Sequence, residues 1–182
     1  MLLHTHISYK YMDSPWGKLT LAASPNGLFG IWFEGQQHYP QTQAWVSEPH
    51  NPNILQAEAL LNAYFEGQWP QGQSASDCLK TLSLDLSAGT EFQQAVWQAL
   101  MSIPMGQTCS YGQLASAIGR PSAVRAVGTA IGRNPFSILI PCHRVLGGQG
   151  QMTGYAGGIW RKQALLQLEN AISASNSVFT PS

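Results

Sequence analysis

The sequence predicts an α+β protein: a small antiparallel sheet with a helix in the first half, then a helical second half built around a helix-turn-helix. Three observations carry that expectation. Short runs of alternating hydrophobicity fill the chain up to Phe33, helical spacing takes over after Ser87-Ala88-Gly89, and two short helical runs flank the turn Gly119-Arg120-Pro121-Ser122. At 182 residues and 44% hydrophobic, the chain can hold one medium domain or two small ones, with a core that needs no staples. The expected division is a support domain over 1–88, a second domain over 89–170 and a flexible tail over 171–182.

Alternation over His6–Met12 and Lys18–Ala23, the turn Ser24-Pro25-Asn26-Gly27 and the apolar Leu28–Phe33 read as successive antiparallel strands. Leu55, Ala59, Leu60, Ala63 and Tyr64 recur at helical spacing over Asn53–Phe65, with Gly67 just past the end. Leu82, Leu84 and Leu86 alternate as a further strand. Beyond the junction, Thr90 and Gln93 have the spacing of a capping box, and Phe92, Val96, Ala99 and Leu100 form the buried stripe of a helix stopped at Pro104-Met105-Gly106. Tyr111–Ile118 and Ala123–Ile131 are two short helices about the turn, a pattern that an ordinary antiparallel helix pair also gives. A final helix over Ile159–Asn170 is expected to pack through Ile159, Leu165 and Leu168 and to carry Glu169 at its end.

The formal net charge is zero, yet the charges are segregated. No Asp or Glu occurs from Phe92 to Leu168, where Arg120, Arg125, Arg133, Arg144, Arg161 and Lys162 all fall, so the second half is the part suited to a polyanion. Cys78, Cys109 and Cys142 are odd in number and far apart, which argues against a disulfide framework and points to a reducing cytoplasm. Their spacing, and that of the histidines, offers no zinc site, and no metal or other cofactor is expected. No apolar run is long enough to span a bilayer and no secretory leader is evident, so membrane partners are not expected.

The most informative stretch is Ile138-Leu139-Ile140-Pro141-Cys142-His143-Arg144-Val145, which puts a thiol beside an imidazole and a guanidinium at the end of an apolar run. Adjacent positive charge and an adjacent base both push a thiol toward the reactive thiolate. An isolated Cys-His pair is more often structural, so the flanking residues decide. The second helix of the pair, Val124–Gly132, has a single long polar side chain, Arg125, among small residues such as Ala126, Gly128 and Thr129. Base-edge reading in the major groove needs several long polar side chains. Small residues instead allow close backbone approach in a narrow groove, and one arginine can act as a wedge.

The string Gly132-Arg133-Asn134-Pro135-Phe136-Ser137 running into Pro141-Cys142-His143-Arg144-Val145, followed by Gly154-Tyr155-Ala156-Gly157-Gly158 and Glu169, resembles the O6-alkylguanine-DNA alkyltransferases. With Tyr111-Gly112-Gln113-Leu114-Ala115 and the Arg125 helix in family order, the resemblance is specific over about Thr90 to Asn170. It implies a ribonuclease H-like first half, a winged-helix-like second half, and irreversible transfer of an alkyl group from guanine O6 to Cys142 in a single turnover.

Residue by residue, the resemblance makes His143 the base acting through a bridging water, Glu169 its orienting carboxylate, Asn134 a brace and Tyr111 a donor to N3 of the leaving purine. Were the chain extended at Cys142-His143, the two side chains would leave on opposite faces, which favours a bridging water over direct contact. Tyr155, the Ala156 amide, Val145 and Gly157 are expected to form the base pocket; many relatives carry Ser where this chain has Ala156, so one hydroxyl contact is missing. Arg125 would fill the space left by a flipped nucleotide, with Ala126, Gly128 and Thr129 lying against the minor groove of double-stranded DNA, largely without sequence preference and as a monomer. The first half is implied to support the second and to supply no required residue, and the zinc ligands of some members have no counterpart in Cys78, Cys109 or the histidines.

Other classes fit less well. A cysteine hydrolase leaves the helix pair unexplained, a non-enzymatic binder of alkylated DNA lacks the cysteine that this chain retains, and a sequence-specific transcription factor does not suit the small-residue helix.

Overall fold

The computed structural model describes residues 6–172, so most of the expected tail lies outside the described residues. Strands β1 (Ser8–Met12), β2 (Leu19–Ser24) and β3 (Gly27–Phe33) form the predicted antiparallel meander. A short fourth strand, β4 (Val46–Ser47), adds parallel to β1 and completes the sheet order β3-β2-β1-β4. Gly27 has φ 141° and a Cβ there would lie 2.5 Å from the Ser83 carbonyl oxygen, so the β2–β3 turn needs glycine.

Helix α1 (Pro52–Phe65) packs on the sheet through Ile54, Ala57, Leu61 and Tyr64. Its start differs slightly from expectation. Asn51 caps it by accepting from the Asn53 and Ile54 amides, and Pro52 takes the first helical position, where its missing N–H costs nothing. A single turn, α2 (Ala75–Cys78), follows.

The strand expected at Leu82-Leu84-Leu86 does not form. Leu84 makes only a bridge to Leu28, with the Leu28 amide donating to Ser83 O and the Asp85 amide to Leu28 O. Further along β3, Ile31 donates to Pro135 O and accepts from the Ser137 amide. Two short segments thus share the edge of β3, and neither has room to extend into a strand.

Helix α3 (Glu91–Met101) opens with the predicted Thr90/Gln93 capping box. Helices α4 (Tyr111–Ala117) and α5 (Val124–Gly132) are the predicted pair, and a second capping box, Ser110 with Gln113, starts α4. α3 packs on α5, and the buried Trp97 Nε1 donates to Ala130 O at 2.9 Å. Short strands β5 (Cys109–Ser110) and β6 (Val145–Leu146) pair in parallel, bringing the chain after the Pro-Cys-His-Arg motif back beside α4. Helix α6 (Ile159–Leu168) is the last element among the described residues, with Glu169 as its cap residue. Leu165 is buried there as expected, but Ile159 is exposed because it sits at the first turn, outside the packed face. Among the described residues, no helix is long and apolar enough to cross a membrane. One core cluster runs from β2 and β3 through α1 and α3 to Ile138, Leu139 and Ile140.

Candidate active site

Cys142, His143 and Arg144 form one turn of 3-10 helix, so the extended chain that would send the Cys142 and His143 side chains to opposite faces is not present. The turn follows from the backbone before it: Ile138 is held at φ 72°, the Leu139 amide bonds Ser137 O, and the Cys142 amide bonds Ile140 O. A β-branched residue at positive φ costs on the order of 1–3 kcal/mol, which its complete burial helps offset. Asn134 fixes the same loop from inside. Its Nδ2 donates to Ile140 O at 2.8 Å and to Cys142 Sγ at 3.1 Å, and its Oδ1 accepts from the Phe136 amide at 3.0 Å.

Cys142 is buried, and burial pushes its thiol up, while the Asn134 donor and the charge of Lys162 pull it down. The cation beside the sulfur is therefore Lys162 and not Arg144, the neighbour expected from the motif. Arg144 is wholly buried and turned away, its Nε and NH2 donating to the two oxygens of Glu169 at 2.8 and 2.9 Å and its NH1 to Ile103 O at 2.6 Å. Lys162, from α6, is also fully buried, donates to Val145 O at 2.6 Å and Thr153 O at 2.8 Å, and is drawn down to about 8 by burial. Of the six basic residues read as a polyanion-facing set, only Arg120, Arg125 and Arg133 are exposed. Arg161 is half-buried, stacked on the Phe33 and Trp160 rings and bonded to Trp16 O and Gly157 O.

His143 Nε2 lies 2.8 Å from Glu169 Oε1, both side chains wholly buried. Burial raises the Glu169 carboxyl, but His143 and Arg144 outweigh it and hold the group well below the usual carboxylate range. Burial also lowers His143, so the imidazole is neutral with its proton on Nε2 toward the carboxylate. Nδ1, left as the lone-pair nitrogen, has no hydrogen-bond partner among the described residues.

A cleft of about 510 Å³, within the size range of small-ligand sites, opens above Cys142. Its walls are Tyr111, Arg125, Gly128, Thr129 and Arg133 from the helix pair and its end, Gly154, Tyr155 and Ala156 from the following loop, and Gln37 and His38 from the first half. Tyr111 Oη accepts from Thr153 Oγ1 at 3.1 Å, which leaves its own O–H free to donate. Val145 and Gly157 do not line the cleft. Val145 is core and offers its carbonyl to Lys162, while a Cβ on Gly157 would meet the Tyr155 ring at 2.7 Å, so glycine there lets the ring sit. Ala126 faces a separate shallow hollow with Thr90, Phe92 and Gln93. Among the described residues, no group of three His, Cys, Asp or Glu side chains could hold a metal ion.

The sequence reading missed Lys162 as a site residue, and also Gln37 and His38. Leu165 and Leu166, three and four residues on, put Lys162 on the apolar face of α6 and could have marked it as buried; nothing local marks the other two, because the fold brings them to the rim.

Fold and site together define a class: proteins with one buried cysteine, held against an imidazole and carboxylate pair, in a cleft edged by a helix-turn-helix. Residues 7–71 match the family model described as 6-O-methylguanine DNA methyltransferase, ribonuclease-like domain, and residues 91–171 match the DNA binding domain of the same proteins. A methylated-DNA–protein-cysteine methyltransferase of Mycobacterium tuberculosis is 46% identical over 165 residues, covering 91% of this chain and 93% of the relative. One from Haemophilus influenzae is 40% identical over 91% of this chain and 87% of its own length. The crystal structure of Mycobacterium tuberculosis OGT in complex with DNA superposes with a TM-score of 0.77 at 44% identity, over 90% of this chain and 93% of that one. The chain belongs to the methylated-DNA–protein-cysteine methyltransferase family.

Proposed function

We propose that this protein repairs alkylated DNA by moving the alkyl group from guanine O6 onto Cys142. The observation that carries the reading is the Asn134 Nδ2 donor on the Cys142 sulfur at the floor of a cleft edged by α4 and α5. A donor to sulfur favours the thiolate, and the side chain that braces the loop supplies it.

The thiol rests protonated because it is buried. His143 Nδ1, through a water, takes the Cys142 proton as the sulfur attacks the alkyl carbon. The S–C bond forms, the C–O6 bond breaks, and its electron pair passes into the purine. Tyr111 donates to the ring nitrogen where that charge develops. The proton taken from Cys142 returns from His143 to the purine anion through solvent, so the products are a thioether on Cys142 and unmodified guanine, with no metal or cofactor in the balance. A buried sulfur cannot reach O6 in a stacked duplex, so the nucleotide is rotated out at an unstacking cost of a few kcal/mol, about the range typical of base flipping.

Arg125 takes the vacated place in the stack from the exposed face of α5. Val124, Arg125 and Ala126 have amides with no helix partner and α5 lacks a side-chain cap, so its start can hold a phosphate. Thr129 and Gly128 lie at the cleft wall, consistent with close approach in the minor groove and little sequence preference. The protein works as a monomer in a reducing cytoplasm, where Cys142 stays a thiol. Residues 1–88 and 89–170 serve as support and transfer domains.

Because a thioether is not hydrolysed, reaction with O6-methylguanine duplex stops after about one equivalent per chain. Intact-mass spectrometry should show one added methyl and a plateau. Continued release of product beyond that plateau would favour a hydrolase.

A further inference from the structure

The carboxylate that holds His143 takes a hydrogen bond from the other half of the molecule. Tyr64, on the last turn of α1, is completely buried, and its Oη donates to Glu169 Oε1 at 2.7 Å. The same oxygen accepts from His143 Nε2 at 2.8 Å and from Arg144 NH2 at 2.9 Å, while Oε2 accepts Arg144 Nε at 2.8 Å. Three donors therefore converge on the oxygen that faces the imidazole.

A buried phenol needs some acceptor, and a backbone carbonyl would serve it. Tyr64 instead uses the relay's own carboxylate. Its ring is fixed edge-on against Phe65 and Trp69, with centroids 5.7 and 5.2 Å away, and Trp69 is pinned by its Nε1 bond to Leu60 O. Charge neutralisation is already supplied by Arg144, so the neutral phenol adds something else. It fixes the torsion of the carboxylate and withdraws negative charge from Oε1, which weakens that oxygen's pull on a second imidazole proton. Burial and the adjacent Glu169 charge both raise the Tyr64 phenol well above its usual range, so it stays a donor.

We propose that Tyr64 is a positioning residue of the alkyl-transfer site, acting through Glu169 to keep His143 a neutral imidazole with Nδ1 free for the Cys142 proton. This rests on the relay of Cys142, His143 and Glu169 put forward above. It also assigns the first half a part in the chemistry, where the family resemblance implies only support.

The groups around the imidazole are Glu169, Arg144 and Lys162, with Cys142 adjacent and the Tyr155 ring edge-on at 6.5 Å. Of these, Tyr64 contacts only Glu169 through its hydroxyl. In Tyr64→Phe the ring packing remains, Oε1 loses one donor, and imidazolium is favoured. His143 should then titrate at higher pH, and the acid limb of the transfer rate should move up with it.

The test follows the His143 ring nitrogens by NMR in histidine-labelled wild type and Tyr64→Phe, beside single-turnover rates on O6-methylguanine duplex. The expected result is an upward displacement of the His143 titration and transfer slowed roughly threefold to tenfold at pH 6, a part of the factor of about a hundred or more that a placed acid–base group supplies. Duplex affinity should be unchanged, and adding Tyr64→Phe to Glu169→Gln should slow transfer no further. An unmoved His143 titration would overturn the proposal. So would equal slowing at every pH and in the Glu169→Gln background, which would make Tyr64 a packing residue. The ring titration is read without any transfer, so its failure is separate from failure of the relay; an alkyl group found away from Cys142 would remove the relay and the role of Tyr64 together.

Discussion

Lys162 and Arg144 are both wholly buried cations within the same site, and they do different work. Arg144 is bonded to both oxygens of Glu169 and has no charge to spare for the sulfur. Lys162 has only carbonyl partners, so its charge acts on Cys142 and opposes the cost of burying a thiolate. Removing it in Lys162→Met should raise the Cys142 thiol further and slow single-turnover transfer at pH 7, by roughly tenfold for each unit that the thiol rises. Because the lysine itself loses its proton at about 8, wild type forfeits that charge as pH climbs past this point. The gap between wild type and variant should therefore narrow on the alkaline side in a rate-against-pH measurement. A gap that stays constant with pH would mean that Lys162 only ties Val145 to Thr153. Cys142, His143, Asn134 and Glu169 were legible as residue types in family order. The pairing of His143 with Glu169 was implied by the resemblance, but the cation facing each anion was not, since local sequence does not say that Arg144 turns to Glu169 and Lys162 to Cys142.

At the scale of elements, α5 carries the DNA-side expectation. Val127, Ala130 and Ile131 bury its inner face against α3 and α4, while Val124, Arg125, Ala126 and Thr129 stay exposed. Arg125 is the only long polar side chain on that exposed face, which is why it is the residue proposed to replace an extruded nucleotide. Arg125→Ala should slow repair of duplex DNA strongly, yet leave reaction with free O6-alkylguanine base nearly unchanged, since nothing is unstacked there. Comparing the two rates in the variant checks this; an equal drop in both would make Arg125 a support of the site. The helices were readable because capping and apolar periodicity are local: Thr90 with Gln93, and the stripe of Phe92, Val96 and Leu100. β4 and the Leu84 bridge were not, because strand pairing is decided by distant partners, Ile7 and Tyr9 for the former and Leu28 for the latter. The turn at Cys142 was hidden for a similar reason, as it depends on Ile138 at positive φ and on Asn134 inside the loop.

Across the whole molecule, the two halves meet at the chemistry. β3 receives Pro135 and Ser137, the Gln37 amide donates to Ala156 O, Arg161 reaches Trp16 O, and Tyr64 reaches Glu169. The Asn134 loop, the substrate-side loop and the relay carboxylate are each held by a residue of the first 65. The segregation of acids and bases along the chain gave no sign of this convergence. Everything about the site presumes one acceptor atom, the sulfur of Cys142. Cys78 and Cys109 are only partly buried, and burial raises both thiols; at Cys78 the charge of Arg144 opposes this and that of Asp77 adds to it, and among the described residues neither sulfur has a hydrogen-bond donor such as the one Asn134 gives Cys142. Peptide mapping after reaction with O6-methylguanine duplex is the direct measurement. The account predicts a single methyl on the peptide containing Cys142 and none in Cys142→Ser; a methyl on Cys78 or Cys109, or transfer persisting in Cys142→Ser, would contradict it.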